Sequence, residues 1–370
     1  MKLDHFGADS ELHKSGFDYM YDMFENNIKT YEDGSTSTES EFDLKNYNVI
    51  NQIEYIDYTL QNNPSNFVVK QDDSNLVSLK RLLSVCIDAA KSGGAQLISV
   101  RRNFDLKKIW GVLSTEQADN PVVVGRKRSL QAITHKLKHS FPNIKIVSRK
   151  SNGFKVEPYE GRIQIDNASN DVLVPSNNIL VWVDSLDAER EYHYNLLDYV
   201  TTMVCVAVKG QPVIGIIHQP FENFTKWGWV GNGISHDPYP AASEPHDVSR
   251  PLSIIISPRH FVPVKSRIKL SIGYEIDMIA AYGAGYKVLQ VTEGKADALF
   301  HVNDVKKWKI CAGNAIMNAE NGKFTNVDGS NIEYGDSYNI THKRGIIASI
   351  LDHDTFLKLT SFEIFNTESA

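Results

Sequence analysis

Two aspartates three residues apart close an apolar run at Val181-Trp182-Val183-Asp184-Ser185-Leu186-Asp187. At the end of a buried strand, such a pair can offer several oxygens to one hard divalent cation such as magnesium. The same pattern also describes a strand leaving the core through a polar turn, so the spacing by itself leaves both readings open. The other residues suited to chemistry are the three cysteines, Cys86, Cys205 and Cys311. Their number is odd, they lie far apart, and none has zinc-type spacing. That argues against a disulfide framework and for a reducing compartment.

The elements that must position these residues can be read from periodicity. Leu76, Leu79, Leu82, Leu83, Cys86 and Ile87 line one face of a helix expected over 76–90, with Gly93-Gly94 as its stop. A second helix is expected over 129–139, ending before Pro142. Strands follow at 179–183, 201–208, 213–218 and 225–230, with Lys209-Gly210-Gln211-Pro212 as a hairpin turn. A polar, Pro-bearing connection at 237–251 reads as a domain boundary. Beyond it come strands at 252–257, 296–302 and 346–350 and helices at 285–292, 309–319 and 354–361. The predicted class is a mixed α/β protein, a strand meander first and alternating elements second.

The chain has 370 residues, 42% hydrophobic and 23% charged, which suits a folded globular protein. No apolar run is long enough to span a bilayer, and no secretory signal is visible at the N-terminus. Residues 1–75 hold 5 Lys/Arg against 15 Asp/Glu, a net −10; since the whole chain carries −6, the remainder carries +4. An acidic head in front of a mildly basic body does not make a nucleic-acid binder, which concentrates basic charge on one face. The head is rich in Asn, Ser, Asp and Glu and should be largely disordered. Within it Phe17, Met20, Tyr21, Phe24, Ile28 and Tyr31 recur at helical spacing over 16–31. They form either an amphipathic helix that docks on a partner or on the body, or a sporadic aromatic cluster in a tail. Three regions result: a head at 1–75, an N-terminal α+β part at 76–250 and a C-terminal α/β part at 251–370.

Three stretches in order, Val181 to His218, Gly283 to Leu289 and Lys306 to Ile316, resemble the bisphosphate 3′-nucleotidase branch of the inositol-monophosphatase superfamily. The resemblance covers roughly residues 76–360. It implies a layered αβαβα sandwich and an ancestral reaction, magnesium-dependent removal of a phosphate from a small monoester. Asp184 and Asp187 match the family's strand-end aspartates. Glu189 stands where the family has a threonine that orients the attacking water. Arg149-Lys150 stand at a Glu-Glu pair. Val123 and Arg126 stand at a Thr-x-x-Asp element, and Lys309 stands at the aspartate of a Trp-Asp motif. Each acidic-to-basic exchange replaces an oxygen ligand by a cation without a lone pair. Ser257-Pro258-Arg259-His260 resembles a phosphate-contacting stretch, and Lys287 keeps the family's lysine after the glycine turn at Gly283 and Gly285. Alternatively, the glycines only shape a turn and Lys287 is solvated.

The resemblance with its departures yields a definite expectation: a protein that has lost magnesium and catalysis, with no cofactor, acting as a scaffold for a protein partner, with a homodimer as a further option. The alternatives are a non-hydrolysing sensor of adenosine 3′,5′-bisphosphate or a related phosphonucleotide, and an active phosphomonoesterase with unusual ligands. Lys309 and Arg149 should pair with Asp184 and Asp187 in place of metal. Members of this branch that reside in the Golgi carry a membrane anchor; none shows here, so the expected location is cytoplasm or nucleus.

Overall fold

A computed structural model of the chain describes residues 75–109, 120–149, 171–235, 250–260 and 275–360. The described residues fall in one compact unit, Gln71–Ala370. The head stripe Phe17, Met20, Tyr21, Phe24, Ile28 and Tyr31, residues 237–249 of the connection at 237–251, and Lys150 lie outside the described residues.

Strand β1 (Leu76–Ser78) leads into helix α1 (Leu79–Ile109), and α2 (Pro121–Ser140) packs on it. The expected stop at Gly93-Gly94 is a correction, because α1 runs straight through both glycines. They are there for close approach. A Cβ on Gly93 would come within 2.7 Å of Ile133 and Ser129, and one on Gly94 within 2.7 Å of His218. Helix α2 also starts earlier than expected, at Pro121. Asn120 caps it through a side chain that accepts from the Val122 N–H, and proline suits a first helical position because it lacks an N–H to satisfy.

Strands β2 (Lys145–Ser148), β4 (Ile179–Asp187), β5 (Thr201–Val208), β6 (Gln211–Gln219), β7 (Phe224–Trp229) and β8 (Gly233–Ile234) form a six-stranded sheet in the order β2-β4-β5-β6-β7-β8; β3 (Leu173–Pro175) pairs with β1. Only β2 and β4 run parallel; the rest is an antiparallel meander. Lys209 and Gly210 both take positive φ in the β5–β6 turn, the requirement of a tight hairpin.

A five-stranded sheet, β10-β9-β11-β15-β13, is built from β9 (Leu252–Ile256), β10 (Ile276–Ala280), β11 (Ala298–His301), β13 (Lys323–Asn326) and β15 (Ile346–Ser349). A small pair, β12 (Val305–Lys306) with β14 (Thr341–His342), sits beside it. Helices α4 (Ala284–Thr292) and α5 (Cys311–Ala319) lie between the two sheets, and α6 (His353–Thr360) covers the far face of the second sheet. The short α3 (Glu189–His193) follows β4.

Alternation along β4 explains the layering. Ile179, Val181 and Val183 face the α1/α2 core, while Leu180 and Trp182 face the core that holds α4 and α5. A strand buried on both sides cannot be patterned polar and apolar, and every residue of β4 is buried. The layers are therefore helix, sheet, helix, sheet, helix, the αβαβα sandwich expected.

Cys205 on β5 and Cys311 at the start of α5 form a disulfide with a Cα–Cα distance of 5.7 Å, which corrects the expectation of unpaired cysteines. Their 106-residue separation carries no pairing signal, and only the packing of α5 on the sheet brings them together. Cys86 is free and buried, and burial pushes its thiol pKa up.

Candidate active site

In a regular strand, Asp184 and Asp187 would point to opposite faces, because successive side chains alternate. The β4–β5 register shifts between them, and Ala188 then takes a left-handed conformation with φ of 60°. A bulge of this kind re-aims side chains, and both carboxylates reach one ammonium. Lys309 Nζ donates to Asp184 Oδ2 at 3.1 Å and to Asp187 Oδ1 at 2.8 Å. The lysine comes from a 3₁₀ turn, Lys307–Lys309, directly ahead of α5. Its neighbour Trp308 is buried in the central core and anchors the turn.

Asp187 is also tied to α4. Gly285 N–H, in the first turn of that helix, donates to Asp187 Oδ2 at 3.0 Å, and a helix N-terminus favours a carboxylate. Position 285 has to be glycine, because a Cβ there would sit 2.4 Å from Thr201 Oγ1. Gly283 takes φ of 68°, and a Cβ there would meet the Tyr199 carbonyl at 2.7 Å. The two glycines shape the strand-to-helix turn and also bring α4 against the aspartates.

Charge is distributed unevenly over this cluster. Burial opposes the Lys309 ammonium, but the two carboxylates outweigh it and hold the lysine's pKa above its usual range. Burial also works against ionised Asp187, yet Lys309 and Gly285 N–H hold that carboxyl below the usual range. Asp184 is pushed up, by burial first and then by the charges of Asp187 and Glu189, and Lys309 lowers it too weakly to offset them. Asp187 is therefore the firmly ionised partner and Asp184 the more easily protonated one.

Around the pair, Arg126 Nη1 donates to Glu189 Oε1 at 3.0 Å, and Arg149 Nη1 donates to both Glu189 oxygens at 2.8 and 3.0 Å. The expected Arg149–aspartate pairing is corrected accordingly. Glu189, two residues beyond the strand end, intercepts the guanidinium, whose side chain is about half exposed. Val123 is exposed on α2.

Lys287, one turn into α4, is buried, and its Nζ donates to Ser257 Oγ at 2.7 Å. Burial lowers its pKa to about 8. His260 follows Ser257 by one helical turn, with its N–H donating to the Ser257 carbonyl. Burial first, then Lys287 and Arg259, lower the His260 pKa. These groups line one cleft of about 550 Å³, which also receives Arg149, Asp187, Glu189, Gly283 and Lys309.

Ser257, His260 and Lys287, widely separated in sequence, thus meet in the same cleft as the Asp184–Lys309–Asp187 cluster. The sequence reading missed Glu191, Tyr282 and His301, which line it too. His301 Nε2 is buried without a hydrogen-bond partner, and burial takes its pKa down to about 3. His301 ends a second-sheet strand, and nothing local in the sequence signals that strand's approach to the cleft. Glu191 and Tyr282 sit beside the Asp187 and Gly283 motifs and were within reach of a wider reading of them.

The residues at the strand end do not fit a magnesium site. The ammonium that bridges both aspartates has three protons and no lone pair. No group of three or more His, Cys, Asp or Glu side chains able to hold a metal occurs among the described residues.

A family model for the inositol monophosphatase family matches residues 78–362. Inositol monophosphatase 3 from Danio rerio is 36% identical over 294 residues, covering 76% of this chain and 84% of that protein. The Golgi-resident adenosine 3′,5′-bisphosphate 3′-phosphatase of Mus musculus is 35% identical over 303 residues, covering 77% and 82%. Among solved structures, an inositol monophosphatase from Anabaena superposes with a TM-score of 0.55 at 16% identity, over 76% of this chain and 96% of the other. One from Staphylococcus aureus gives 0.57 at 13%, over 78% and 94%. At those identities the structures establish the fold alone. The expectation of a protein without enzymatic activity is corrected by these relatives, which are named as phosphatases and are matched over 84% and 82% of their length. A layered sandwich with paired strand-end aspartates, a match across 78–362 and relatives above 30% identity lead to one assignment: the chain belongs to the inositol monophosphatase family.

Proposed function

We propose that the chain is a phosphomonoesterase acting on small phosphate monoesters, of the class that its relatives' names carry: an inositol phosphate or adenosine 3′,5′-bisphosphate. The observation that carries this is Lys287. Its buried ammonium opens onto the cleft and is hydrogen-bonded to a neutral hydroxyl, with no ion pair to a carboxylate among the described residues. A buried cation without a paired anion is costly, and a phosphate dianion in the cleft relieves that cost. Exposed Arg259 and the unpartnered His301 Nε2 supply further contacts at the same place.

In this reading the phosphoryl group lies against Lys287 and Lys309, and their charge stabilises the negative charge that builds on its oxygens. Water attacks phosphorus as the ester P–O bond breaks. His260, kept neutral by burial and by Lys287, takes the water's proton. Glu191, whose carboxyl is pushed up by burial and then by Asp187, returns a proton to the leaving oxygen. Water is activated here by an imidazole alone, so turnover should be slow beside that of enzymes using metal-bound water.

Phosphate release from inositol monophosphates and adenosine 3′,5′-bisphosphate tests this proposal. Release above the protein-free blank, lost in Lys287→Met, is the expected result. No release from any of these esters would overturn it.

The Cys205–Cys311 disulfide supports a location in an oxidising compartment. Among the described residues no helix is long and apolar enough to cross a membrane.

A further inference from the structure

We propose that Lys309 is a built-in replacement for a divalent cation, so that the cleft takes its phosphate ester without metal. This rests on the phosphomonoester reading above and specifies how the charge is supplied. Three independent features place the ammonium in a cation's position. First, the bulge in β4 turns Asp184 and Asp187 onto the same point, and Lys309 Nζ lies there at 3.1 and 2.8 Å from one oxygen of each. The bare pair would repel, and a positive charge held between the two carboxylates relieves that repulsion.

Second, the lysine is held from behind by structure. The 3₁₀ turn that carries it is anchored by buried Trp308, and α5 begins two residues later. A cation at that point opposes the helix dipole, so the aspartates are what keep it there. Third, about a third of the Lys309 side chain is accessible, and it lines the cleft together with Lys287. An incoming phosphate can therefore meet the ammonium that the aspartates hold. The opposite charge at Glu189 is already matched by Arg126 and Arg149, so it is not left to recruit a metal.

Thermal melting of the full-length chain separates the possibilities, with magnesium chloride compared against sodium chloride of equal ionic strength. The expected result is no magnesium-dependent rise for the natural chain, since a ligand stabilises only a state that it binds. Lys309→Asp, which places a third carboxylate at the convergence point, should gain a magnesium-dependent rise of about 2 °C or more. If that variant does not fold, Lys309→Gln carries the same test with a neutral oxygen donor. A magnesium-dependent rise in the natural chain overturns the proposal, and so does a folded variant that stays indifferent to magnesium.

Adenosine 3′,5′-bisphosphate provides the second arm. It should raise the melting temperature equally in chelator and in magnesium. A rise only with magnesium defeats metal-free docking and leaves the phosphomonoester reading standing. No rise under either condition, for this nucleotide and for an inositol monophosphate alike, defeats that reading, and metal-free docking with it, whatever magnesium alone does.

Discussion

Lys309, partly accessible, and Lys287, buried, sit in environments that push their pKa values in opposite directions, and each makes its own prediction. Lys309 is held by two carboxylates that are almost wholly enclosed. Replacing it by alanine strands both, so Lys309→Ala should destabilise the fold by about 3 kcal/mol in a denaturant titration, the scale for removing one partner of a buried pair. Asp187→Asn in the same background should recover part of that loss, because it removes one of the stranded charges. An unchanged midpoint in Lys309→Ala would contradict the pairing. Lys287 behaves differently, since burial takes its pKa to about 8. The unfolded value is about 10.4. Between the two, the unfolded chain binds the extra proton, so stability should rise with pH across that window. Phosphate affinity should move the other way and fall as pH rises through about 8, because only the ammonium attracts the dianion. Lys287→Met should bind about tenfold more weakly, the scale of one charge-assisted hydrogen bond, with the pH dependence gone. A pH-independent affinity in the natural chain would contradict this.

At the scale of elements, the site is assembled by places where regular geometry is interrupted. The β4 bulge, the left-handed Ala188 and the Gly283 turn bring a strand end, a helix start and a 3₁₀ turn together. Gly285 is the tightest point, so Gly285→Ala should cost about 1–3 kcal/mol from overpacking against Thr201. It should also weaken ligand binding by moving α4 from Asp187; a variant as stable as the natural chain would show that α4 has room to spare. Much of this assembly was legible in the sequence. Alternation and apolar runs located β4 to β7 to within a residue or two at most ends, and Lys209-Gly210 announced its hairpin. Gly93-Gly94 misled because glycine marks both helix ends and close helix packing, and only the neighbours Ile133 and His218 distinguish them. Lys309 was legible as a cation at an acidic position, while Arg149 was not separable from it until Glu189 was seen to hold the guanidinium. His301 left no trace, because its approach depends on how the second sheet packs.

At the scale of the molecule, five layers share a central core that α5 fills between the sheets. The Cys205–Cys311 disulfide ties that helix to the first sheet across 106 residues. Replacing both cysteines by serine should lower stability by about 2–5 kcal/mol, the usual scale for a native disulfide. Peptide mapping without reductant should recover the two cysteines joined; finding both alkylated in the native chain would remove this link and the inference of an oxidising compartment. Across the whole fold, the decisive question is whether lysine charge alone lets this cleft bind a phosphate ester. Calorimetric titration of adenosine 3′,5′-bisphosphate into the full-length chain in the presence of chelator tests it most directly. The expected result is saturable binding to one site, with the same affinity when magnesium replaces the chelator. Binding that appears only with magnesium, or no binding at all, would contradict it.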